Sequence, residues 1–167
     1  KKNGESGTGE TFTLIALPDT QMYAQNDTIH FSAQTQWISN NKAAENIVYV
    51  GHLGDIVNVA SSVTQWAYAD AAMDILDTGN VAYGVSPGNH DQPTTNYNIY
   101  FGASRFSGKS YYGGNYDGTN DNNYALFTAG GMDFIAIQLQ YNPDTNMLNW
   151  ADGLLKTFSS RRGIVLS

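Results

Sequence analysis

Three short motifs stand in the order a metal-dependent hydrolase would need. Asp19 follows Leu17-Pro18, Asp55 follows Gly51-His52-Leu53-Gly54, and Gly88-Asn89-His90-Asp91 follows a run that begins at Val81. Each comes after an apolar stretch that reads as a β-strand, and strand ends of an open α/β sheet are where such folds gather their chemistry. Two carboxylates, an amide and then a histidine suit a two-metal hydrolytic site. Cations roughly 3.5–4 Å apart need a shared ligand, and a carboxylate has two oxygens to offer, so Asp55 is the candidate bridge. Asp19 would hold the first cation, and Asn89 the second through its carbonyl oxygen. Cations so held lower the pKa of a shared water toward ~7 and make hydroxide available at neutral pH. His90, beside the second ligand, is placed to protonate a leaving oxygen, a contribution of roughly 10²–10⁴ in rate. Asp91 is placed to orient that imidazole.

The pattern around these motifs predicts the elements that position them. Residues 11–17 are nearly continuous in apolar character, which fits a strand buried on both faces. A helix is expected over 31–44 and a second strand from Ile47. Ser62-Val63-Thr64-Gln65 has the form of a capping box. Trp66, Ala69, Met73 and Leu76 then recur at helical spacing up to a C-capping Gly79, and a third strand starts at Val81. Alternating strands and helices imply a parallel sheet with helical crossovers. Residues 109–123, dense in Gly, Asn, Asp and Tyr, read as an excursion loop. A hairpin is expected across Gly130-Gly131, with Ile135, Ile137 and Leu139 on one face. Asp144 is a candidate N-cap for a helix burying Met147, Ala151, Leu154 and Phe158, and a last strand begins at Ile164. Residues 1–10 read as a linker or tail and 11–167 as the domain.

Other candidates take structural roles in this reading. His52 lies three residues before Asp55 and points to the opposite face. His30 is assigned to the surface, Asn58 to a turn, Trp66 and Trp150 to the core, and the tyrosines of 111–116 to a packed surface loop.

Composition narrows the partners. The chain has 167 residues, of which 41% are hydrophobic, enough for one globular core. A net charge of −7 argues against nucleic acid, which calls for a basic stripe. No apolar run approaches the ~18 residues a membrane helix requires. No segment has the pattern of a signal peptide, so the chain is either cytosolic or already trimmed. Abundant Asn, Gly, Thr and Tyr with little Lys points to a secreted, bacterial-style protein. With no cysteine, a metal must be held by oxygen and imidazole, which suits Mn, Fe, Zn, Mg or Ca better than softer ions.

Asp19, Gly54-Asp55 and Gly88 through Asp91 resemble the calcineurin-like metallophosphoesterase superfamily. Its pattern runs Asp-x-His, Gly-Asp, Gly-Asn-His-Asp or Glu, a lone His, then Gly-His-x-His. The likeness is greatest to a bacterial branch carrying Leu-Pro-Asp-Thr-Gln and His-Leu-Gly-Asp-Ile-Val-Asn. It implies an α/β fold, a calcineurin-like sandwich of two mixed β-sheets flanked by helices. It also implies two divalent metal ions acting on a phosphoester substrate. Gln21 stands where the family has a histidine ligand. A glutamine carbonyl binds a hard cation more weakly than imidazole binds a transition metal, and both direct and water-mediated roles stay open for it. The family's lone His is expected just after Leu166-Ser167 and Gly-His-x-His beyond it, so the 167 residues correspond to the N-terminal portion of the domain, truncated at the C-terminal side. On that footing the expectation is weak metal binding and little turnover unless a second polypeptide supplies the remaining half. The alternative is a non-catalytic binding module or half-domain on the same fold that pairs with a separate second half.

Overall fold

The computed structural model describes residues 9–167. The expected linker falls outside the described residues except for Gly9 and Glu10, which belong to no regular element. From there the chain forms β1 (Thr13–Leu17), α1 (Gln21–Asn26), α2 (Thr28–Asn41), β2 (Ile47–His52), α3 (Val63–Thr78) and β3 (Tyr83–Gly84). It continues through α4 (Thr95–Tyr100), α5 (Ala103–Phe106), β4 (Tyr112–Asn115), β5 (Asn123–Ala129), β6 (Met132–Gln138), α6 (Thr145–Thr157) and β7 (Arg162–Leu166). The result is a mixed α/β fold with two sheets.

The first sheet has the order β1-β2-β3 and is parallel throughout its described strands. Its register aligns Leu17 with His52 and Gly51 with Gly84. The loops after the three strands therefore emerge along one edge, and they carry Asp19, Asp55 and the 88–91 tetrapeptide. The second sheet, β4-β5-β6-β7, is mixed: β4, β5 and β6 pair antiparallel, and β7 runs parallel to β6. Gly130 and Gly131 turn the β5–β6 hairpin with φ of 55° and 73°, the left-handed pair a two-residue hairpin turn demands.

α3 is the main buried helix. Trp66, Ala69, Met73 and Leu76 are all fully buried, as their spacing predicts. They pack with Phe31 and Ile38 of α2, Val50 and Tyr83 of the sheet, and Tyr97, Phe101 and Phe106 from the segment after it. Only half of the capping box forms. The Ser62 hydroxyl accepts the Gln65 N–H at 3.4 Å, but Gln65 Oε1 accepts the N–H groups of Asn58 and Val59 at 2.9 and 3.0 Å. The start of α3 thus anchors the loop that follows Asp55. A second cluster joins Ile135, Ile137 and Leu139 to Ala151 and Leu154 of α6 and to its C-cap Phe158; the N-cap Asp144 accepts the Met147 N–H at 2.9 Å. Replacing Gly153 of α6 by Ala is expected to raise stability by about 0.5–1 kcal/mol in urea denaturation, because a Cβ there meets no atom within 4 Å.

The two sheets meet over glycines. A Cβ on Gly51 would lie 2.3 Å from Leu166 Cδ1, and one on Gly84 would lie 2.1 Å from Tyr49 Oη. Tyr49, Ala125 and Ala136 fill the seam with Phe127, Ile164 and Leu166.

Several expectations need correction. β1 is not buried on both faces: Leu14 is 40% exposed, and Ala16 on the same face is exposed as well. The first crossover contains the additional short helix α1, and α2 spans 28–41 instead of 31–44. The excursion segment contains β4, and α4 and α5 precede it. The tyrosine-rich stretch packs, as expected: Tyr111 and Tyr112 lie against the first core, and Tyr116 lies against Trp150. Among the described residues no helix is long and apolar enough to cross a membrane.

Candidate functional site

A cavity of about 240 Å³ opens at the edge where the three parallel strands end, lined by Asp19, Leu53, Asp55, Pro87, Gly88, Asn89, Tyr141 and Ser167. Asp19, Asp55 and Asn89 therefore meet, one from each strand end. Among the described residues neither Asp19 nor Asp55 forms an ion pair. Two carboxylates sharing a cleft without a cation repel each other.

Local backbone geometry holds this arrangement. Gly54 and Asp55 both adopt left-handed conformations, with φ of 93° and 49°, so the chain turns sharply and presents the Asp55 carboxylate at the strand end. The Asp55 carbonyl accepts the Thr20 N–H at 3.1 Å, and Asp55 Oδ1 accepts the His90 N–H at 2.9 Å. The loops approach so closely that a Cβ on Gly88 would lie 2.2 Å from Asp55 Oδ1 and 2.3 Å from its backbone nitrogen.

Asp91 does not orient His90. It is fully buried, and its carboxylate accepts the N–H groups of Ile56, Val57 and Gly88 at 3.1, 3.0 and 2.8 Å. Burial pushes its carboxyl up to about 6, outweighing those donors, which pull it down. Asp91 is the clasp between the second and third loops. The partner of His90 is the Asn58 carbonyl, which lies 3.0 Å from Nδ1. A carbonyl can only accept, so Nδ1 carries the proton and Nε2 is left to exchange one.

Gln21 and His90 are not among the residues lining the cavity. Gln21 is the first residue of α1, and its Oε1 is buried without a hydrogen-bond partner, an oxygen with its lone pairs unused. Among the described residues no group of three or more His, Cys, Asp or Glu side chains is placed to hold a metal. The oxygen donors gathered at the cavity are two carboxylates and an amide, a set that fits hard cations better than thiophilic ones.

His52 is structural, as its facing predicts. It is fully buried, its Nδ1 accepts the Gly54 N–H at 3.2 Å, and its Nε2 lies 2.9 Å from Thr20 Oγ1. The Thr20 hydroxyl in turn donates to the Ile56 carbonyl at 3.2 Å, so this relay ties the first strand end to the second. Burial lowers the His52 imidazole to about 3. Native His52 stays neutral where the unfolded chain, with an imidazole near 6.5, binds a proton. Its contribution is therefore complete above that value and is lost as pH falls from about 6.5 toward 3, by about 1.4 kcal/mol per pH unit at most. Asp91 works in the opposite sense, gaining stability as pH falls through about 6, so wild type alone shows a blunted slope. In His52→Asn, whose Oδ1 can accept the Gly54 N–H, the stability deficit should be largest at pH 7 and narrow on acidification. Urea denaturation from pH 7 to 4 measures it, and a deficit independent of pH would refute the assignment.

Two features escaped the sequence reading. Tyr141 and Ser167 reach the cavity from the second sheet, and no spacing signal marks them. The nearest hint for Tyr141 is an aromatic residue directly after the alternating run that ends at Gln140.

No protein-family model matches the chain. The chain is similar to "Uncharacterized protein YvnB" of Bacillus subtilis strain 168, with 35% identity over 161 residues, covering 93% of this chain. The chain spans 12% of that relative's length.

Proposed function

We propose that this chain belongs to a calcineurin-like metallophosphoesterase domain and that its cleft contributes Asp19, Asp55 and Asn89 to a site that hydrolyses a phosphoester with divalent metal ions. The observation carrying the reading is the convergence of Asp19, Asp55 and Asn89 from three strand ends on one cavity of about 240 Å³. Two carboxylates without a described ion-pair partner gain from a bound cation. Cations bound there neutralise charge on a phosphoryl oxygen and acidify water.

The remaining work falls to the protein's own groups. Asp55 binds through its carboxylate while its Oδ1 fixes the His90 backbone. Asn89 contributes a carbonyl oxygen. With its ring held by the Asn58 carbonyl at Nδ1, His90 would donate a proton to the leaving oxygen from Nε2 in its imidazolium form and return to the Nδ1–H neutral ring. Asp91 keeps the two loops in register and touches no substrate.

A non-catalytic cation-binding module is the second reading, favoured by a cavity lining that holds no histidine. The test is hydrolysis of 4-nitrophenyl phosphate and its bis ester with millimolar Mn²⁺, with Mg²⁺ and with EDTA. Release of nitrophenol that needs Mn²⁺ and stops with EDTA supports the esterase. Mn²⁺ binding by calorimetry without turnover supports the module, and absence of both overturns the metal reading.

A further inference from the structure

We infer that Tyr141 packs its ring against the leaving group of the substrate and so favours cyclic, flat leaving groups over small alkyl ones. The inference rests on the phosphoester reading above and adds the class of leaving group.

The main chain presents this ring in a fixed place. Three consecutive N–H groups are pinned: Leu139 donates to the Leu166 carbonyl at 2.9 Å, Gln140 to Asn122 Oδ1 at 3.1 Å, and Tyr141 to the Pro87 carbonyl at 2.8 Å. The last bond attaches Tyr141 to the loop that supplies Asn89 and His90. Asn142 then turns the chain away with a φ of 53°.

The side chain itself is unused. It is 55% exposed, and among the described residues it stacks on no other ring and its hydroxyl makes no hydrogen bond. Tyr83 and Tyr97, by contrast, are buried and paired with neighbouring rings. Tyr141, Leu53 and Pro87 line the same cleft as Asp19, Asp55 and Asn89. A few polar groups that fix the reacting centre beside an aromatic wall that covers the rest of the ligand is the usual division of a small-molecule site. The volume of about 240 Å³ suits a phosphoryl group carrying one ring. A flat leaving group laid on the tyrosine gains face contact that a methyl group cannot make.

The test compares kcat/KM for benzyl phosphate and methyl phosphate, with Mn²⁺, in wild type, Tyr141→Ala and Tyr141→Phe. Dividing one variant's substrate ratio by another's cancels the intrinsic reactivity of the leaving groups, and a merely structural role would lower both substrates together. Tyr141→Ala should lower the benzyl-to-methyl ratio about tenfold, with Tyr141→Phe close to wild type. An equal loss in Tyr141→Phe would assign the effect to the hydroxyl and overturn the ring contact, as would an unchanged ratio in Tyr141→Ala. Calorimetry with phenylphosphonate and methylphosphonate on the Mn²⁺-loaded protein reads the same ratio as affinity if turnover is slow. Neither phosphonate binding would overturn the phosphoester reading and this inference together, whereas equal binding of both would overturn this inference alone.

Discussion

Asp55→Asn is expected to weaken Mn²⁺ binding by at least about a hundredfold, or about 2.7 kcal/mol, with metal-free stability unchanged within about 0.5 kcal/mol. Asparagine is the informative replacement for geometric reasons. The Asp55 backbone has a φ of 49°, a region in which Asn and Asp are the tolerated non-glycine residues. An amide oxygen can also still accept the His90 N–H that Asp55 Oδ1 now accepts. The substitution thus removes one negative charge and little else, and cation affinity follows ligand charge. Calorimetric titration with Mn²⁺ and urea denaturation with EDTA measure the two quantities. Unchanged affinity would place the cation elsewhere. A large loss of metal-free stability would make Asp55 a structural residue first.

Gly88→Ala should cost about 3 kcal/mol and lower Tm by roughly 6–12 °C for a domain of this size. The added methyl would stand 2.2 Å from Asp55 Oδ1 and 2.8 Å from its Cγ. Neither loop can retreat easily, because Asp91 bonds Gly88, Ile56 and Val57 at once, and Gly54 is close from the other side, with a Cβ there falling 2.9 Å from Gly88 Cα. The same substitution should weaken Mn²⁺ binding, since the carboxylate is what the methyl displaces. A variant of wild-type stability would mean that the loops are looser than their contacts indicate. Gly153→Ala is the matched control, a glycine replaced where space is free.

The convergence of the three strand-end motifs on one cavity was legible in the sequence because each motif is local. Leu-Pro-Asp, Gly-Asp and Gly-Asn-His each join an apolar run to a turn, and parallel pairing with matched register is enough to bring them together. The role of Asp91 was not legible, because the N–H groups of Ile56 and Val57 that it accepts lie 35 and 34 residues away and chain proximity pointed to His90. Gln65 was misjudged similarly: its spacing from Ser62 fits a capping box, but the Asn58 and Val59 amides offered better partners. α3 and α6 declared themselves through their buried stripes and N-caps, whereas α5, with four residues, is too short to show a period. The continuous apolar run of β1 signalled a strand correctly and its burial incorrectly. Apolar content records what a surface could cover, not how many described neighbours cover it.

The seam between the sheets has a consequence for how the molecule breathes. Tyr49 Oη and Gln138 Nε2 are buried there without hydrogen-bond partners, and the Ser86–Gln138 contact is long, at 3.4 Å. Parting the sheets would let those orphaned atoms reach water, at the cost of the bonds that join the halves, among them Asn123 Nδ2 to the Val85 carbonyl at 2.7 Å and the Tyr141 N–H to the Pro87 carbonyl at 2.8 Å. The large aromatic core lies with the first sheet and the smaller cluster with the second, and the two halves can open with different free energies. A ligand that grips Asp55 on one side and Tyr141 on the other rivets the seam shut and stabilises the closed form by mass action. Occupancy of the cleft would then be written into the amide exchange rates of β5, β6 and β7, strands that carry none of Asp19, Asp55 and Asn89.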